Sequence, residues 1–102
     1  MRTSNWSAIK PVPADMVLFR QLQAEGVLLD MRGEEYYGLD EVATRLWTVS
    51  MSAPNLDAAV TTLLGEYDVS REVLETDLEN LLADLEARGL ILMCPSVDGR
   101  VA

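Results

Sequence analysis

Two carboxylates on one predicted helix are the first candidates for chemistry in this sequence. Asp77 and Asp84 are seven residues apart, which is about two turns of an α-helix. A carboxylate pair can serve acid–base catalysis, but no nucleophile–base pair and no glycine-rich phosphate loop accompanies these two residues. Solubilising charge is the simpler interpretation, and the sequence predicts no catalytic residue.

The inventory of other reactive groups is short. The 102 residues include no histidine and one cysteine, Cys94. The commonest general base and metal ligand is therefore missing, and an internal disulfide cannot form. A zinc site would have to be built from carboxylates alone. We expect neither a metal nor a cofactor.

The charge balance excludes another class of function. Seventeen acidic and eight basic residues give a formal net charge of −9. Residues 34–102 hold 14 of the acids and four arginines, a net of −10. Binding to a phosphate backbone needs clusters of Lys and Arg, so we expect no nucleic-acid partner. Because no apolar run reaches the ~20 residues of a membrane span and no secretory signal is present, we expect no membrane partner and a cytoplasmic protein.

The strands that would position functional residues are predicted in the first part of the chain. Apolar segments at 16–23, 27–32 and 35–39 are bounded by tight turns, which predicts a three-stranded antiparallel meander. Gly33, in the second turn, is free to adopt a positive φ angle. The polar start, with Pro11-Val12-Pro13, predicts a mobile lead-in over residues 1–13.

The hydrophobic period then becomes helical. Asp40, Asn55 and Ser70 are favourable N-caps for three successive amphipathic helices. Gly89 ends the third helix, and an apolar strand over residues 90–93 follows. The sequence therefore predicts an α+β domain over residues 14–94 and a tail over 95–102.

The third strand and the third helix each present an open question. Val73, Asp77, Leu81, Asp84 and Arg88 run along one edge of the helix's leucine stripe, either as a solvated border or as the acidic wall of a groove for a basic or amide-bearing ligand.

The third predicted strand is an edge of the meander, guarded only at its entrance by Glu34 and Glu35. Tyr36 and Tyr37 are neighbours and point to opposite faces, so one should lie away from the core. A peptide that added as a fourth strand would cover it.

The order and spacing of these segments resemble the PqqD family. Residues 26–47 contain an apolar strand ending Leu-Leu-Asp, a tight turn, a Tyr-Tyr-Gly-Leu-Asp junction between strand and helix, and a helix that reaches Trp47. A Tyr-Asp-Val connector within residues 63–73 and Arg-Gly-Leu-Ile at 88–91 follow. Asp40 stands where the family has Asn, and both residues cap helices well. The resemblance covers residues 16–93.

The resemblance implies a winged helix-turn-helix-like fold that has lost DNA binding. It also implies that the domain captures the leader of a ribosomally made precursor peptide, between the third strand and the third helix. The implied strand template is Glu35, Tyr36, Tyr37, Gly38 and Leu39, and the implied helix wall is Val73, Leu74, Asp77, Leu78, Leu81 and Asp84.

Within this family, free-standing domains of about this length resemble the leader-binding protein of lasso-peptide pathways. That protein delivers the precursor to a leader peptidase and then to an ATP-dependent cyclase. The carrier of pyrroloquinoline quinone synthesis, another peptide pathway or a scaffold that dimerises through the same edge remain alternatives. A DNA-binding winged helix is disfavoured because the third helix has six acids against two arginines.

Overall fold

A computed structural model of the chain describes residues 3–96. The described elements, in chain order, are a 3₁₀ segment (Thr3–Ala8), β1 (Ile9–Pro13), β2 (Val17–Leu22), β3 (Glu25–Asp30), β4 (Glu35–Leu39), α1 (Glu41–Ser52), α2 (Leu56–Leu64), α3 (Arg71–Ala87) and β5 (Ile91–Pro95). This confirms an α+β architecture with a three-stranded antiparallel sheet, three helices and a short extra strand.

The meander consists of β2, β3 and β4 in that order, with β3 in the centre. Leu28 on β3 lies opposite Phe19 on β2 and Tyr37 on β4. The two turns use residues other than the glycine that the sequence favoured. Gln23 (φ 62°) and Glu34 (φ 57°) adopt the left-handed conformation, whereas Gly33, which is free to adopt it, does not.

All three predicted caps are confirmed at the start of the helices. The side chains of Asp40, Asn55 and Ser70 accept hydrogen bonds from backbone N–H groups three residues later, which satisfies donors that lack a partner within the helix. Gly89 follows α3 with φ +75°, a conformation that glycine adopts without strain. The connection from α3 to β5 is therefore sharp.

The N-terminal segment differs from the expected mobile lead-in. Residues 9–13 form β1, which pairs antiparallel with β5, and Trp6 is only 5% exposed. Proline at positions 11 and 13 is compatible with this strand because β1 lies at an edge. Every second N–H group of an edge strand points away from the neighbouring strand and has no hydrogen-bond partner in the sheet. The described part of the lead-in is thus built into the fold. In the predicted tail, Pro95 belongs to β5, and positions 97–102 lie outside the described residues.

The core lies between the inner face of the meander and the helices. Its fully buried leucines come from the sheet and from two helices: Leu28, Leu56, Leu63, Leu78 and Leu85. Phe19 stacks on Trp47 with ring centroids 5.8 Å apart. A Cβ at Gly26 would lie 2.6 Å from the Phe19 ring, so glycine is required there by close approach of the backbone. This packing fixes the meander against α1.

Candidate functional site

The candidate site begins at the open edge of β4, the third strand of the meander. β4 pairs with β3 on one side, and within residues 3–96 no strand pairs with its other side. An unpaired strand edge presents N–H and C=O groups in a row, which is a template for another extended chain.

The register shows which backbone groups of β4 face outward. In an antiparallel ladder, opposite residues alternate between hydrogen-bonded and non-hydrogen-bonded pairs. The Met31 N–H donates to the Met16 carbonyl directly opposite it, at 2.9 Å. Residues 25, 27 and 29 of β3 therefore bond to β2, and residues 26, 28 and 30 bond to β4.

This alternation continues into β4. Glu35, Tyr37 and Leu39 lie opposite residues 30, 28 and 26, so their backbone groups are used within the sheet. The N–H and C=O groups of Tyr36 and Gly38 point to the open edge. The edge thus offers two donors and two acceptors to an added strand.

The side chains of the two tyrosines point to opposite faces, as the sequence predicted. Tyr36 is 77% exposed, on the face of the sheet away from the helices. Tyr37 is half-buried and packs against the core. The two neighbours have different roles: Tyr36 remains available at the surface, while Tyr37 faces α3.

Tyr37 connects β4 to α3 directly. Its hydroxyl donates to Asp84 Oδ2 at 2.6 Å. The Arg88 Nε donates to the other carboxylate oxygen at 3.2 Å, and the Arg88 guanidinium lies 4.8 Å from the centre of the Tyr37 ring. This contact shows that the helix edge carrying Asp84 faces β4, where the family resemblance implied a groove wall.

The pKa values reflect this arrangement. The hydrogen bond to Asp84 raises the pKa of Tyr37, with burial adding to the effect. The same hydrogen bond, together with Arg88, lowers the pKa of Asp84, although partial burial opposes it. Asp84 is therefore ionised at neutral pH and already paired with Tyr37 and Arg88, while its side chain stays partly exposed.

A second contact closes the same end of the groove. Arg32, in the loop between β3 and β4, donates to both carboxylate oxygens of Asp30 (2.8 and 2.9 Å) and to the Gly89 carbonyl after α3 (2.8 Å). A hollow of about 180 Å³ remains there, lined by Asp30, Glu35, Tyr36, Tyr37, Arg88 and Leu90. The hairpin is thus held to the C-terminal end of α3.

The other predicted wall residues divide by burial. Val73 and Asp77 are exposed toward the N-terminal end of α3, and Leu81 is half-buried. Leu39, Leu74 and Leu78 belong to the core, at 3%, 4% and 0% exposed. These three side chains support the strand and the helix from behind, so the surface available to a ligand comes from the others.

Arg88 lies at the candidate site, although the sequence argument did not include it among the site residues. Arg88 belongs to the same helix edge as Asp84. Its spacing of four residues from Asp84 could have indicated a contact between the two side chains, because residues four apart meet on a helix surface. Its position over Tyr37 requires the tertiary fold.

Two other kinds of site are absent from the part of the chain that the structure describes. No group of three or more His, Cys, Asp or Glu side chains there could hold a metal ion. No helix within residues 3–96 is long and apolar enough to cross a membrane.

Comparisons with solved structures place this geometry among known folds. "TbiB1 in Complex with the TbiA(beta) Leader Peptide" matches with a TM-score of 0.70 and 28% sequence identity, covering 88% of this chain and 98% of that chain. "Lasso peptide synthetase B1 complexed with the leader peptide" matches with a TM-score of 0.71 and 26% identity, covering 81% and 98%. The open edge and the helix wall therefore occur in a fold shared with two leader-peptide complexes.

Sequence comparison identifies the family. No curated protein matches this chain. The family model for coenzyme PQQ synthesis protein D (PqqD) matches residues 25–91, which run from the start of β3 into β5 and include β4 and α3. The chain belongs to the PqqD family.

Proposed function

We propose that this protein binds the leader segment of a ribosomally synthesised precursor peptide, which adds as a strand to β4 and lies against α3. The observation that carries the proposal is the pair of outward-facing backbone positions, Tyr36 and Gly38, on an unpaired edge next to a helix wall. Main-chain hydrogen bonds would provide affinity, and side-chain contacts would provide selectivity.

The contact residues of the proposed site are those with accessible groups. They are Glu35, Tyr36, Tyr37, Gly38, Val73, Asp77, Leu81 and Asp84, to which we add Arg88 because it lies over the Tyr37 ring. The two solved structures described above are complexes with leader peptides, which supports the same class of ligand here.

The proposal extends to the pathway. We infer a non-catalytic role in which the bound precursor is delivered to the leader peptidase and the ATP-dependent cyclase of a lasso-peptide pathway. The similarity to lasso peptide synthetase B1 supports this over a carrier for pyrroloquinoline quinone synthesis. The winged helix-turn-helix arrangement stays a prediction. It is supported by the three consecutive helices that follow a β-hairpin in the chain.

A pair of substitutions at Gly38 tests strand addition. Gly38→Pro removes an N–H that faces the open edge and leaves the β3–β4 bonds intact. Gly38→Ala keeps this N–H, and its Cβ would have no atom within 4 Å. We expect a synthetic leader to bind the wild type with a Kd on the order of micromolar or tighter. Proline should weaken binding about tenfold or more, and alanine should have little effect.

The measurement is a calorimetric titration of folded protein, checked by circular dichroism. Equal affinity of the proline and alanine variants would exclude a hydrogen bond from Gly38 and contradict strand addition at this edge. Dimers in sedimentation that dissociate only in the proline variant would instead indicate a scaffold that pairs with itself. Proline at Tyr37 is unsuitable, because the Tyr37 N–H faces β3.

A further inference from the structure

The outer face of the meander, which points away from the helices, is apolar. Side chains alternate along each strand, so the even positions of β2 share this face with the odd positions of β3 and with Tyr36. Leu18, Leu29 and Tyr36 lie directly opposite one another and form one row across all three strands. The apolar members of the outer face are Met16, Leu18, Leu22, Val27, Leu29, Met31 and Tyr36.

Most of these side chains are exposed, whereas Val27 and Leu29 on the central strand are partly buried. Leu22 is 74% exposed, Met16 59%, Met31 51% and Leu18 42%. Scattered exposed apolar residues are ordinary on a protein surface, but a contiguous group on one face of a sheet indicates an interaction surface. The leader groove does not account for this face, since β2 lies two strands away from the open edge.

Arg20 adds a charge to the β2 side of this surface. It lies on β2 opposite Val27, between the positions of Leu18 and Leu22, and is exposed. The structure shows no hydrogen bond or ion pair for it, whereas every other lysine and arginine within residues 3–96 donates to a protein oxygen. Glu25 lies at the hairpin end of the same face, opposite Leu22.

We propose that the outer face binds a second protein through an apolar patch that carries a carboxylate opposite Arg20. An arginine with no partner in an acidic chain is complementary to such a group, and burial of the surrounding leucines and methionines would strengthen the pair. A second copy of this chain is a poorer occupant, because two molecules of net charge −9 repel each other.

This face is continuous with the proposed leader site. Side chains of a strand added to β4 would alternate between the groove and the outer face. Those on the outer face would lie beside Tyr36 and enlarge the apolar surface. The partner would thus contact the protein and its bound leader together, which is what an enzyme acting on the precursor requires.

The test measures binding of the purified leader peptidase and of the purified cyclase to the full chain, each with and without leader. The choice of these two probes rests on the proposed function. Leu18→Ser and Arg20→Glu alter the outer face and lie outside the leader site. Val69→Ser, at a comparably exposed position (44%) between α2 and α3, is the matched control. We expect both outer-face variants to weaken binding of one enzyme at least tenfold and the control to change it less than twofold.

Leader affinity of the same variants separates this inference from the proposed function. Normal leader binding with lost enzyme binding supports the outer face as a separate surface. Unchanged affinity for both enzymes, or no binding of either enzyme to the wild type, overturns the inference. A wild-type dimer that becomes monomeric in Arg20→Glu would also overturn it, because the occupant would then be a second copy. Absence of leader binding in the wild type would count against the proposed function alone.

Discussion

Tyr37 joins the two walls of the candidate groove by a single hydroxyl group. Its backbone pairs with β3 and its ring packs on the core, while its hydroxyl reaches Asp84 on α3. Arg88 contacts both partners. A residue that is fixed at three points sets the distance between strand and helix, so we expect it to control the width of the groove.

Tyr37→Phe should remove the hydrogen bond between the Tyr37 hydroxyl and Asp84 while keeping the aromatic ring. Asp84 would lose the hydrogen bond that most lowers its pKa, so this pKa should rise toward the usual 3.8. We expect an NMR titration of the Asp84 carboxyl carbon to show the rise. An unchanged Asp84 pKa would mean that Arg88 alone stabilises the carboxylate.

The pH dependence of stability follows from the same two groups. The lowered pKa of Asp84 means that its stabilisation is present above about pH 4 and is lost as pH falls through the lower folded-state value. The raised pKa of Tyr37 means that its stabilisation is present below about pH 10 and is lost as pH rises through the higher folded-state value. The wild type should therefore exceed Tyr37→Phe in the free energy of unfolding mainly between these limits.

At the scale of elements, the β1–β5 pair determines how the chain ends are held. The sequence pattern predicted a mobile N-terminal segment, because two prolines within three residues exclude a helix or a central strand. The edge of a two-stranded sheet accepts them, and the Ser96 N–H extends the pairing by donating to the Ala8 carbonyl at 2.8 Å. The N-terminal segment thereby covers part of the core with Trp6.

Trp6→Ala tests whether this segment contributes to stability. Because the indole is almost fully buried, its removal should lower the free energy of unfolding by about 3–5 kcal/mol. Val69→Ala, at an exposed position, should change it by about 0.5 kcal/mol or less. Urea denaturation followed by far-UV circular dichroism gives both values. A loss below about 1 kcal/mol for Trp6→Ala would contradict the packing of this segment.

At the scale of the whole molecule, the distribution of charge is more informative than its sum. Part of the acidity is used in ion pairs, among them Arg45 with Glu66, and Arg71 with Asp57 and Glu75. Along the groove edge of α3, Asp84 is also paired, which leaves Asp77 as the exposed carboxylate of this edge. The affinity for a basic leader should therefore depend on the positions of the unpaired acidic side chains as well as on the net charge of the protein.

Asp77→Lys and Glu86→Lys separate these two effects, because both change the net charge from −9 to −7. Only Asp77 lies on the helix edge that faces β4. For a leader of net positive charge, Asp77→Lys should weaken binding up to about fivefold at low ionic strength, and the loss should shrink as salt screens the contact. Glu86→Lys should weaken binding less. Equal losses for the two variants, measured by titration at two salt concentrations, would show that net charge alone matters.

The sequence by itself determined the features that depend on near neighbours. Helix caps, the change from a period of two to 3.6 and the opposite orientation of Tyr36 and Tyr37 are set by residues a few positions apart. The α+β architecture and the edge strand could therefore be predicted. The helix edge stayed open between a solvated border and a groove wall, and the resemblance to the family implied the groove. The residue that adopts the left-handed conformation in the turn between β3 and β4 could not be predicted. Glu34 adopts this conformation because the pairing of the two strands fixes the geometry of the turn.

Only the tertiary structure decided which groups of those elements are available. Tyr36 and Gly38 offer their backbone groups because the register of β2 against β3 fixes the alternation in β4. Asp84 is paired and Leu78 is buried because strand and helix, more than thirty residues apart in sequence, pack together. The pattern of the chain sets what each element can present, and long-range packing selects which of those groups reach a partner, since burial and pairing are properties of the whole fold.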